Sequence, residues 1–205
     1  GIVRREVVRV ITPGMVMDET LLESPAANYL AAIAPKEKKR PGGMAFLDIT
    51  TGEFFCMSLP VENEVAAVSD EIARYAPREC IVPENLQPEL LEHLSGKPLT
   101  VSRVPASWYD PESARVFLCN HLGVSSLEGF GLAGMDGAVV AAAAALMYAR
   151  ETQKQDLRQV TTLSVRHVRD FCLLDAVTQR NLEILRGIRG TGKEGTLISV
   201  LDRTA

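Results

Sequence analysis

Residues 43-GMAFLDITTGEFFCMSL-59 decide the fold. Apolar and aromatic residues fill both halves, and Thr51–Gly52 stands between them, with glycine where a tight turn needs positive φ. Two antiparallel strands folded about that turn are expected. Just upstream, "NYLAAI" (28–33) is a short apolar run that supplies a first strand, and the basic "PKEKKRPGG" between them reads as a solvated loop. Further back, "REVVRVIT" (5–12) is rich in β-branched residues and stops at the turn signal Pro13–Gly14. Downstream the period changes. In "ENEVAAVSDEIARYAP" (62–77), Val65, Val68, Ile72 and Tyr75 recur at helical spacing and make one apolar stripe.

"ECIV" (79–82) follows as a buried strand, and "PELLEHLSG" (88–96) as a short helix with Leu90, Leu91 and Leu94 inward and Gly96 as its stop. "LTVSRV" (99–104) is another strand. "DPESARVFLCNHLG" (110–123) carries strong helix punctuation: Asp110 as N-cap, Pro111 in the first turn, Glu112 at the positive end of the dipole and Gly123 at the close. Its inward face is expected to be Ala114, Phe117, Leu118 and Leu122. A three-stranded meander followed by α/β alternation is the topology of the ribonuclease-H-like fold, a mixed sheet flanked by helices. After residue 131 the texture turns helical. The alanine-rich "MDGAVVAAAAALMYARETQ" (135–153) places Met135, Val139, Ala143 and Leu146 on one face, and alanines let a neighbour approach closely. A second helix is expected from about Cys172 to Leu185, and "TLISVLD" (196–202) as a closing extended piece. The expected division is an α/β domain over 1–131 and the incomplete start of a mostly α-helical unit over 132–205. The opening without Met and the close on "TLISVLDRTA" suggest a piece of something longer.

The 205 residues carry 46 % hydrophobic and 23 % charged side chains, ordinary for a globular chain, with net charge −4. No global basic field draws it onto nucleic acid or acidic lipid. Cys56, Cys80, Cys119 and Cys172 lie far apart in apolar segments without metal-ligand spacing, which reads as reduced buried thiols. The longest apolar run, Ala138 to Met147, falls short of the ~20 residues that a bilayer crossing needs. A cytoplasmic protein with no membrane partner is expected.

Chemistry-bearing motifs are few. "GIRGTGKEGT" (187–196) has the glycine–lysine frame of a phosphate-binding loop, but Glu194 stands where a small hydroxyl must ligate magnesium, and helix rather than strand precedes it. It reads as a loop. A ribonuclease-H-like nuclease needs carboxylates converging on two Mg²⁺ ions. The first strand offers none, Asp48 sits beside the turn, and Asp70 and Glu71 lack evident partners. His93, His121 and His167 are mutually isolated, and Trp108 reads as packing. Two alternatives stand beside a non-catalytic reading: a metal-dependent nuclease, with Asp48 essential, and a nucleotide-binding module using Gly187–Thr196, with Lys193 essential.

In ordered segments the chain resembles an internal piece of the MutS-type DNA mismatch-repair proteins. The resemblance is carried by "VVRVITPGMVMDETLL", "NYLAAI", "AFLDITTGEF", "EGFGL", "YARETQKQDL", "LLDAVTQRNLEIL" and "GTLISVLDRTA", in the family's order across essentially the whole chain. It implies that 1–131 is a connector domain, ribonuclease-H-like without nuclease activity, and that 132–205 begins the helical core or lever domain. It assigns no catalytic, cofactor-binding or metal residue to this chain. ATP and Mg²⁺ belong to the parent protein, which is implied to be a homodimer that binds mismatched duplex DNA and recruits a MutL-type partner. The chain is then a relay between mismatch-binding and ATPase regions. Partner docking is expected at Arg115 and Val116, and relay packing at Ala143, Asp175 and Asn181.

Overall fold

A computed structural model describes residues 12–15, 28–37 and 40–167. Two compact units divide the chain, Gly1–Val168 and Arg169–Ala205. The first is built on a six-stranded sheet. Its strands are β1 (Leu30–Ala34), β2 (Gly43–Leu47), β3 (Phe54–Ser58), β4 (Glu79–Pro83), β5 (Thr100–Val104) and β6 (Ser164–Val165). Its helices are α1 (Glu64–Tyr75), α2 (Pro88–Ser95), α3 (Pro111–Leu122) and α4 (Asp136–Gln153).

The strands lie in the order β5-β4-β1-β2-β3-β6. β1, β2 and β3 form the antiparallel meander, with Leu30 opposite Leu47 and Leu47 opposite Phe54. β4 runs parallel to β1 and β5 parallel to β4. This is the ribonuclease-H-like order, and the hairpin is where the sequence puts it. Gly52 adopts φ 76° and its amide donates to the Asp48 carbonyl at 2.9 Å. β1 and β2 are buried at every position, so they read as continuous apolar runs instead of alternating ones.

Each strand's side chains alternate between two separate cores. Toward α1 and α2 point Ala31, Ile33, Met44, Phe46, Phe55, Met57, Cys80 and Val82. Toward α3 and α4 point Leu30, Ala32, Ala34, Ala45, Leu47, Phe54, Cys56 and Ile81. The α1 stripe is as expected, with Val68 and Ile72 buried and Val65 and Tyr75 packed at their edge. α2 ends at Gly96 with φ −83°, so glycine's left-handed freedom goes unused there.

The boundary expected between residues 131 and 132 falls inside the first unit. α4 lies on the sheet: Ala138 to Leu146 are all buried, in the core that includes β1, β2 and β3 residues and α3. The reason is steric. A Cβ on Gly43 would come 2.2 Å from the Gly137 carbonyl carbon, and one on Gly137 would come 2.5 Å from that of Gly42. Helix and strand therefore meet backbone to backbone, and the alanine run continues that closeness along the helix. α4 also extends the unit to β6, which pairs parallel with β3 through Phe55–Ser164 and Cys56–Val165. A two-residue strand leaves no pattern in the sequence.

Candidate functional site

α3 carries the expected docking residues. Its start is fixed as the sequence predicts: Asp110 accepts the Ser113 amide at 2.8 Å, and that bond holds its carboxyl below the ordinary value. Gly123 closes the helix at φ 67°. Ala114 and Leu118 are buried against α4, while Phe117 and Leu122 pack at the margin. Val116 points the other way and is 55 % exposed; Val61 is the other large apolar side chain exposed among the described residues. Arg115 divides its role, donating to Asp136 of α4 at 2.7 Å with both side chains partly solvated. Such a pair contributes about 0–1 kcal/mol, so it orients Arg115 more than it holds α4.

Ala143 is fully buried in the α3/α4 core. Asp175, Asn181 and the Gly187–Thr196 loop with Lys193 lie outside the described residues, as does Cys172. Cys56 and Cys80 are buried free thiols; desolvation pushes the Cys56 thiol up to about 12 and raises Cys80 further. Cys119 is free and half-buried.

Asp48 is occupied by structure. One Asp48 oxygen accepts the Thr50 amide at 2.9 Å, the Thr51 amide at 3.4 Å and the Thr50 hydroxyl, and the other accepts the Asn28 amide at 3.3 Å. The carboxylate thus organises the hairpin turn and ties it to the start of β1. Asp70 is exposed on α1, whereas Glu71 is 1 % exposed and 3.4 Å from Arg74. Burial raises the Glu71 carboxyl against the opposing Arg74 charge. Among the described residues no three His, Cys, Asp or Glu side chains converge as metal ligands do. His121 donates to the Val160 carbonyl at 2.8 Å, His93 of α2 meets Ser69 of α1, and Trp108 packs beside the α3/α4 core.

Open α/β sheets bind ligands beyond the carboxyl ends of their parallel strands, where the connections diverge. Here a cleft of about 480 Å³ occupies that position, beyond Ala34 of β1 and Pro83 of β4. Lys36, Arg40, Asp110 and Asp136 border it. The N-termini of α3 and α4 face the cleft, but Asp110 caps the first and Asp136 sits in the first turn of the second. The helix-end charge that would draw an anion is therefore already answered by carboxylates.

Two polar nodes escape sequence reading. Glu79, fully buried at the head of β4, accepts the Gly14 amide at 3.1 Å, the Ser102 hydroxyl at 2.7 Å and the Tyr148 hydroxyl at 2.5 Å. Arg166 joins Glu53 and Tyr75 at the opposite edge of the sheet. An acid leading an apolar strand does signal a buried charge that must find partners. Those partners lie 65, 23 and 69 residues away, beyond any local pattern.

Strand order and helical layers define a ribonuclease-H-like α/β domain in which Asp48, Glu53 and Glu79 brace the fold. The family model "MutS domain II" matches residues 28–161. The DNA mismatch repair protein MutS of Methanococcoides burtonii is 37 % identical over 206 residues, covering 100 % of this chain and 23 % of that protein. The MutS proteins of Myxococcus xanthus and Symbiobacterium thermophilum are 40 % and 38 % identical, each over 100 % of this chain and 23 % of their own length. The chain belongs to the MutS family, and it spans about a quarter of the length of these curated relatives. Among solved structures, the catalytic core domain of BIV integrase aligns with a TM-score of 0.32 and 13 % identity, over 58 % of this chain and 84 % of that one. The fold assignment rests on strand order, not on that alignment.

Proposed function

We propose that this chain is the connector of a DNA mismatch-recognition ATPase and that the outer face of α3 docks a MutL-type partner. The observation that carries the docking reading is Val116. It is 55 % exposed on a helix whose other apolar residues pack inward, so it is the apolar side chain that a partner on this face would cover. Arg115 beside it, held by Asp136, offers a charge at the rim. The match of residues 28–161 to MutS domain II supports placing this role in mismatch repair.

In this reading the chain contributes no catalytic residue and binds no cofactor. ATP, Mg²⁺ and mismatched duplex DNA are held by other parts of a cytoplasmic, homodimeric parent. The chain's task is mechanical. Because α4 meets the sheet backbone to backbone, the α/β block moves as one body, and Ala143 lies inside that block as part of the relay. Asp175 and Asn181 belong to the proposed relay on the far side of the unit boundary.

The test uses the full-length parent. Val116→Glu places a charge at the centre of the proposed contact, and MutL-type binding should weaken at least about tenfold, equivalent to 1.4 kcal/mol. Mismatch binding and ATP hydrolysis should stay at wild-type levels. Undiminished partner binding by this variant would remove α3 from the interface.

A further inference from the structure

Arg166, directly after β6, occupies a site of well-defined chemistry. Its guanidinium carbon lies 3.6 Å from the Phe55 ring centroid and 5.5 Å from that of Tyr75. Nη2 donates to Glu53 Oε1 at 2.6 Å, and Nη1 donates to the Tyr75 hydroxyl at 3.2 Å. The second Glu53 oxygen accepts the Tyr29 hydroxyl, which fixes the carboxylate's orientation. Tyr29 itself stands edge-on to Phe55 and Tyr75, with centroids 5.7 and 5.9 Å away.

An aromatic floor, a carboxylate end wall and a phenolic oxygen together suit a planar cation with forked donors. A guanidinium stacks on the ring face while its edges hydrogen-bond; an ammonium has neither the plane nor the fork. By contrast, β6 brings only two residues of ladder, extended by the Arg166 amide donating to the Cys56 carbonyl at 2.9 Å. Leu163 is buried in the α3/α4 core and the Ser164 hydroxyl reaches the Phe54 carbonyl at 3.4 Å, and the Arg166 side chain adds a charged anchor beyond the end of the strand.

We propose that Glu53, Phe55 and Tyr75 form a guanidinium-binding cradle, filled in cis by Arg166, whose occupancy straps β6 to the edge of the sheet just before the first compact unit ends. Arg166 acts as a positioning residue for β6.

Hydrogen exchange at the position-166 amide, measured in the 205-residue chain, reads the strap directly. In R166A that amide should exchange at least about tenfold faster, as expected for losing a charge-assisted hydrogen-bonded pair, while β2 amides keep their protection. Millimolar methylguanidinium should restore the protection in R166A and leave the wild type unchanged. The double variant R166A/E53Q should not be restored. Absence of rescue, equal rescue by methylammonium, or equal rescue of the double variant would each overturn the proposal. E53Q alone gives a second reading that does not depend on R166A folding: exchange at position 166 should rise several-fold, and unchanged exchange would also overturn it.

Discussion

The two faces of the sheet solve the same packing problem with opposite materials. Toward α1 and α2 the core is aromatic: Phe46 and Phe55 stack at 5.1 Å, and Tyr29 and Tyr75 close around them at 4.6 to 6.1 Å. Toward α3 and α4, small residues stand among Leu30, Leu47, Phe54 and Ile81: Ala32, Ala34 and Ala45 on the strands share one core with the alanines of α4. Large rings fill a wide gap and each buries much apolar area. Small residues bury little each, and their gain comes from the approach they permit, which brings many backbone atoms into dispersion contact. One face tolerates loss badly; the other tolerates addition badly.

Substitutions that exchange the two materials test this contrast. On the aromatic face, Phe46→Ala empties the centre of the ring cluster and should cost about 4 kcal/mol in urea or thermal unfolding. A loss below about 1 kcal/mol would mean that the rings are not the support of that face. On the small-residue face, the damaging change is an added methyl. Gly43→Ala sets a Cβ against the backbone of Gly137, where no side chain can turn aside, and should cost about 3 kcal/mol. A neutral Gly43→Ala would show that α4 can back away from the sheet.

The smallest effect separates the faces by acid. Burial raises the Glu64 and Glu71 carboxyls of α1 above their ordinary 4.5, so the folded chain binds those protons more tightly than the unfolded chain. Their contribution to stability improves as pH falls from the raised values toward 4.5. Asp110 of α3 behaves oppositely. The Ser113 hydrogen bonds lower its pKa below 3.8, so its stabilisation is present above 3.8 and lost as pH falls through the folded value. Urea midpoints measured from neutral pH down to about pH 3 should show E71Q with a smaller gain on mild acidification and D110N with a smaller loss at the acid end. Wild-type slopes in both variants would contradict the assignment.

Local chemistry made most of the described residues between 28 and 131 legible, while the strand expected at 5–12 lies almost wholly outside the described residues. The Thr51–Gly52 turn, the Val68–Ile72 stripe and the Asp110-Pro111 start each follow from rules acting within a few residues. The alanine run of α4 was legible as helix but not as sheet cover, because its periodicity says which face is apolar and not what lies against it. The decisive evidence is the pair Gly43 and Gly137, which sequence separates by most of the unit. At the proposed docking face, the stripe on α3 already placed Val116 outward, yet Asp136 as the partner of Arg115 required the fold. Glu79 and Arg166 were out of reach for the same reason: each joins groups brought together by topology alone.

Glu79 draws a consequence for how the chain matures. Its carboxylate is sealed from water only when β5 has delivered Ser102, α4 has delivered Tyr148 and the entering segment has delivered Gly14. A half-assembled intermediate that closed over this charge early would strand it in a medium of low dielectric, at a penalty of several kcal/mol. Closing the core over Glu79 before those partners are in place is thereby disfavoured.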